Sequence, residues 1–285
     1  MQLNVLKDIR KIYAGLNPEE VRAAAARDIR VGLMASDSET WHRMETFLAP
    51  AGSDAQALRA ISSAAAINPA DAPERYDFVL CEAGVPVPRN GYLFESDESG
   101  SLVRLILEEN SDLELALART FPLFREAASA RILYRVAREN ALFALVTALP
   151  NVIPSVFDLP WAVGEFATDT AFLTMNQIRM ALQLAAIHGR PVGFVEQKIQ
   201  LGTIIAGAFG WRALARELVG KIPLGGGLIP KAAIAFAGTY VVGLGLEKLN
   251  RTGSGMTRRQ NKDAWAAAFE HGTKVAGELR HDTKA

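Results

Sequence analysis

Leu3, Leu6, Ile9, Ile12 and Tyr13 recur at helical spacing and predict a first helix. A second is marked by Asn17 as N-cap, Pro18 at its first position and Glu19 and Glu20 in its first turn, and runs to about Ala26. The period then changes. Ile29 to Ala35 alternates as a strand does, ends in the small polar run Ser36, Asp37 and Ser38, and returns to helical spacing over Thr40 to Leu48. Further short strands are predicted at Gln56 to Ile61, at Tyr76 to Cys81 beyond a Pro and Asp turn region, and at Leu102 to Leu107. Strands alternating with helices predict a small α/β layer.

From Ser111 the chain becomes alanine-rich and apolar at helical spacing. Helices are predicted over Asp112 to Phe121 and Leu123 to Leu149, where Pro150 and Pro154 stop the run. Others follow at Glu165 to His188, closed by Gly189 and Pro191, then at Gly193 to Phe209, Trp211 to Val219 and Leu228 to Asn250. A last amphipathic helix near Arg259 to Leu279 places Ala264, Trp265, Ala268, Phe269 and Val275 on one side. The predicted organisation is an α/β domain over residues 1–110, an all-α domain over 111–250, and a basic linker with a C-terminal helix over 251–285.

One stretch raises the question of a membrane. Ile222 to Leu246 holds twenty-five residues, six glycines and a single charge, Lys231. At about 1.5 Å per helical residue it is long enough to cross a hydrocarbon core of about 30 Å. Pro223 and Gly225 to Gly227 break its first third, however, and leave a short helical remainder. With the apolar run Leu201 to Gly210 it is expected to form a hydrophobic hairpin or re-entrant pair. Ile234, Phe236, Tyr240, Val241 and Leu244 are its candidate lipid-contacting residues. Lys248, Arg251, Arg258, Arg259 and Lys262 follow with no acid between them, which by the positive-inside tendency keeps this flank on the cytoplasmic face of a bacterial inner membrane. The alternative is a cytoplasmic, wholly soluble helical bundle with an insertable hairpin.

Charge sharpens that expectation. The chain is neutral overall, but residues 1–150 carry 16 basic and 21 acidic side chains, and residues 151–285 carry 15 and 10. The basic surplus is small and lies beside apolar segments, so membrane lipid is expected as partner and nucleic acid is not. An unidentified protein partner is expected for the acidic half, and homo-oligomerisation is compatible with the pattern. Met1 to Ala14 carries Lys7, Asp8, Arg10 and Lys11 and so lacks the apolar core of a signal peptide. The single cysteine, Cys81, excludes an internal disulfide and a multi-cysteine metal site, and the four histidines form no HExxH spacing. No cofactor or metal is expected.

The strand, small-residue loop and helix at Ile29 to Leu48 are the context of a phosphate-binding loop. Here the loop reads GLMASDSETW. In either register the required Gly-Lys-Ser/Thr is replaced, and Asp37 and Glu39 repel a triphosphate where a lysine should neutralise it. Ser36, Asp37, Ser38 and Thr40 are therefore at most a vestigial nucleotide loop. The strand ending at Cys81 continues Glu82-Ala83-Gly84, with Cys81 where a GTPase presents the aspartate of Asp-x-x-Gly, and Asn-Lys-x-Asp is absent. No complete catalytic constellation is present. Asp169, Thr174, Asn176 and Gln177 are instead candidates for a polar network between helices.

Leu142 to Gly189 resembles the YcjF-like, GTPase-associated family of unknown function. The resemblance rests on Leu149-Pro150-Asn151-Val152-Ile153-Pro154, Asp169, Leu173-Thr174-Met175-Asn176-Gln177-Ile178-Arg179-Met180 and Leu184-Ala185-Ala186-Ile187-His188-Gly189. It covers residues 110–250. It implies a helical, membrane-associated domain that follows or works with a GTPase domain, and hence that the first half is a degenerate P-loop GTPase-like sheet. The expected role is a non-catalytic membrane adaptor, or pseudo-GTPase, with a divergent GTP hydrolase completed by a partner as the alternative.

Overall fold

The structure, a computed structural model, describes residues 16–53, 55–62, 75–95, 99–147, 169–202, 204 and 228–282. These fall into two compact units, one built on Glu19–Ala130 and the other on Arg131–Ala185 and Arg190–Ala285. The helix predicted at Leu3 to Tyr13, the residues 205–227 of the expected hairpin, and residues 148–168, which hold Leu149 to Pro154 and the predicted helix start at Glu165, lie outside the described residues.

The N-terminal unit has a three-stranded parallel sheet in the order β1 (Val31–Met34), β2 (Phe78–Cys81), β3 (Gly91–Leu93). Val31 pairs with Phe78 and Met34 with Cys81, and Val79 pairs with Gly91. All eight residues of the first two strands are buried, as expected for parallel strands covered on both faces. Around them lie α1 (Pro18–Ala26), α2 (Ser38–Leu48), α3 (Ala55–Ser62), α4 (Ser99–Glu109) and α5 (Glu114–Thr120).

Two predicted strands are helices. Ala57 and Ala60 are buried three residues apart in α3, a helical rather than alternating pattern. In α4, Leu102, Val103, Ile106 and Leu107 are buried while Leu105 is 45% exposed, so one helical face carries the packing. The third strand is instead β3, three residues in a Pro-rich and Gly-rich stretch. A Cβ on Gly91 would lie 2.7 Å from Pro88 Cδ and 2.8 Å from Val87 Cγ1, so the backbone enters this strand through a gap that suits only glycine. Tyr92 anchors it, with its ring edge-on to Phe78 and its hydroxyl donating to Glu109 at 2.8 Å. Burial and that carboxylate push the phenol up to about 12.

The C-terminal unit is helical. Its principal elements are the long α6 (Arg125–Val146), which enters it at Arg131, α7 (Asp169–Ile187), α8 (Leu228–Thr252) and α9 (Arg258–Asp282). Gly189, at φ +66°, closes α7, and Arg190 N–H donates back to the Ala185 carbonyl. The C-terminal helix is not an appendage: Val275, Ala276 and Leu279 share a buried cluster with Ala232 and Phe236 of α8 and Ala137, Ala141 and Leu145 of α6. Ala264, Trp265, Ala268 and Phe269 continue that contact around Ala237 and Val241.

Candidate functional site

The loop Ser36 to Thr40 lies at the junction of β1 and α2. Asp37, with extended backbone, is the N-cap of α2, and its carboxylate accepts from Thr40 N–H at 2.8 Å and Thr40 Oγ1 at 3.3 Å. Ser38 opens the helix itself. Across the sheet, Glu82 follows the last residue of β2 and turns back into the loop. Its Oε2 accepts both the Ser36 backbone N–H and the Ser36 hydroxyl at 2.6 Å, and Oε1 lies 3.4 Å from Thr40 Oγ1.

A carboxylate therefore occupies the mouth of the loop. It takes the backbone N–H and hydroxyl donors that a phosphate oxygen would need, and Asp37 adds a second negative charge beside it. Ser36 donation holds the Glu82 carboxyl below the ordinary range against the opposing charge of Asp37, and the Thr40 backbone N–H does the same for Asp37. Arg43, the nearest cation in α2, lies over the Phe94 ring, 6.0 Å from its centroid. Sequence reasoning found Ser36, Asp37, Ser38 and Thr40 but missed Glu82, whose role appears only when β2 pairs with β1.

Cys81, the last residue of β2, is fully buried, and burial pushes its thiol up to about 11. Its Sγ lies 3.9 Å from Met34 Sδ, so it behaves as a small apolar core residue. Among the described residues no group of three His, Cys, Asp or Glu side chains forms a metal site.

Among the described residues, one helix, α8, is long and apolar enough to cross a membrane by length and composition, and half of its most apolar window is buried. Of the candidate lipid-contacting residues, Phe236 is fully buried and Ile234 and Val241 nearly so, while Tyr240 and Leu244 are half-buried. Phe236 stacks on Tyr240 and His271 and meets Tyr134 edge-on. In the folded unit Ile234, Phe236 and Val241, expected to contact lipid, face protein instead of solvent. These side chains already have apolar partners, and lipid reaches them only if the bundle opens. Glycines allow close packing: a Cβ on Gly243 would lie 2.6 Å from the Leu133 side chain at Cγ, and one on Gly272 of α9 would lie 3.0 Å from the Ala233 carbonyl oxygen of α8.

The polar network predicted on α7 exists in part and extends further. Thr174, Asn176 and Gln177 are buried, and Asp169 opens the helix. Asn176 Nδ2 donates to Asn140 Oδ1 at 2.9 Å. Asn140 Nδ2 and Gln177 Nε2 donate to Thr239 Oγ1 at 2.8 and 3.3 Å. Asn140 on α6 and Thr239 in the middle of α8 were not singled out from sequence, where each is one polar residue in an apolar run. Together the four side chains tie three helices at one level of the core.

The basic residues Lys248, Arg251, Arg258 and Arg259 lie around the turn between α8 and α9. Gly253, at φ +76°, ends α8, and Thr257 and Gln260 form a reciprocal capping box at the start of α9. Lys248 Nζ donates to the Gln260 side chain at 2.9 Å, joining the two helices, and Arg251 pairs with Glu247. Compared with known protein families, with curated proteins and with solved structures, the chain matches none.

Proposed function

We propose that the chain is a non-catalytic, membrane-associated adaptor, with a GTPase-like N-terminal unit that receives a protein partner and a helical unit that associates with the cytoplasmic face of the membrane. The YcjF-like resemblance of Leu142 to Gly189 motivates this pairing. The observation that carries the non-catalytic part is Glu82, whose carboxylate satisfies the donors at Ser36 from inside the chain. A nucleotide has to displace that carboxylate, meet Asp37 and do without the loop lysine.

Titration with a fluorescent GTP analogue and magnesium tests this. No saturable binding in the micromolar range is expected. Micromolar binding that disappears in Ser38→Ala or Thr40→Ala overturns the proposal in favour of a divergent GTP hydrolase completed by a partner.

A second reading is favoured by the burial of Ile234, Phe236 and Val241: a bundle that is soluble at rest and releases α8 into lipid only when triggered. Membrane fractionation separates the two. The adaptor is recovered with membranes from untreated cells, whereas recovery wholly in the soluble fraction favours the triggered bundle.

A further inference from the structure

We infer that the turn between α8 and α9 is a basic tip by which the helical unit docks end-on on an anionic phospholipid surface while α8 stays in its bundle. The inference rests on the membrane association proposed above and specifies its surface and its lipid chemistry. Because α9 returns alongside α8, the end of one helix and the start of the other come together. Lys248 and Arg251 belong to the first, and Arg258, Arg259 and Lys262 to the second. Arg190 joins them by donating to the Asn250 carbonyl at 3.2 Å. The acids facing this group are Glu247, 18% exposed and bonded to Arg251, and Asp263, 3.8 Å from Arg259.

The placement of Arg258 and Arg259 runs against helix stability. The start of a helix carries partial positive charge and favours Asp or Glu, yet the first turn of α9 holds two arginines and no acid. The capping box would accept glutamate at position 260 but has glutamine. Local folding energetics therefore do not explain this choice, and an external anion would offset its cost. The Arg258, Arg259 and Lys262 side chains are exposed at this turn. This suits an extended layer of headgroups, each cation adding about tenfold or less to binding. The tip also terminates the helix that is apolar enough to span, which matches the basic flanks of membrane-proximal segments.

Co-sedimentation of the full chain with phosphatidylglycerol-containing and pure phosphatidylcholine vesicles tests this, with R258E/R259E and R258Q/R259Q as variants. The intact protein is expected to bind only the anionic vesicles, and less as salt rises. R258E/R259E is expected to bind at least about tenfold more weakly while its melting temperature holds or rises, because acids suit the helix start. R258Q/R259Q should fall between the two. Undiminished binding by R258E/R259E, or equal binding to both vesicle types, overturns the tip but leaves membrane association standing. Binding to neither vesicle overturns both. Tighter binding to a single-stranded oligonucleotide than to anionic vesicles replaces the inference with a nucleic-acid surface.

Discussion

The loop before α2 and the helix α8 both attract attention in the sequence as segments made for an external partner, one for phosphate and one for lipid. In the folded chain each has its needs met from within. Ser36 is held by Glu82, a residue 46 positions away, and Phe236 is enclosed by Tyr134, Tyr240 and His271. The two closures differ in depth. The loop is sealed near the surface by a half-buried carboxylate, whereas α8 is sealed by apolar contact across a bundle and by a buried polar level. A segment's composition thus states what it would bind, and the rest of the chain decides whether that demand is already satisfied.

The deeper closure breaks most expensively. Phe236→Ala is expected to cost about 3–5 kcal/mol, because it removes a fully buried ring and leaves a cavity between α6, α8 and α9. Urea unfolding measures this. Thr239→Val keeps the shape but removes the acceptor shared by Asn140 and Gln177, so a loss of about 1–3 kcal/mol is expected in the same assay. If Thr239→Val proves neutral, the polar level contributes packing alone and the contrast between the regions rests on Phe236 and its neighbours.

The shallower closure should respond chiefly to pH. Asp37 and Glu82 titrate below the ordinary carboxylate range, so their hydrogen bonds stabilise the folded unit above an unfolded pKa of about 4. That contribution fades as pH falls through their lowered folded values. Glu82→Gln is expected to lower stability at neutral pH, where the charged carboxylate contributes, and so to flatten this acid limb in urea titrations run at a series of pH values. An unchanged acid limb would mean that Glu82 does not hold the loop.

Most helices were legible because their signals are local. Asn17-Pro18 with Glu19 and Glu20, the long apolar repeat of α6 and the face of α9 fix their elements within a few neighbouring residues. Leu102 to Leu107 misled because Leu, Val and Ile suit a strand, although their burial spacing is helical. β3 was invisible because three residues carry no period. The same limit applies to the sites. Asp37 and Thr40 are neighbours and were found, while Glu82 and Thr239 act on residues 46 and 99 positions away and appear only once the sheet and bundle form. Burial of α8 is likewise a property of α6, α7 and α9, which its own hydropathy does not contain.

Carbonate extraction of membranes from cells producing the protein at native level tests this closure most directly. If α8 stays inside its bundle and the basic tip alone meets the headgroups, the protein is released by carbonate or high salt. Retention in the carbonate-washed membrane would show α8 embedded in lipid and would contradict the account.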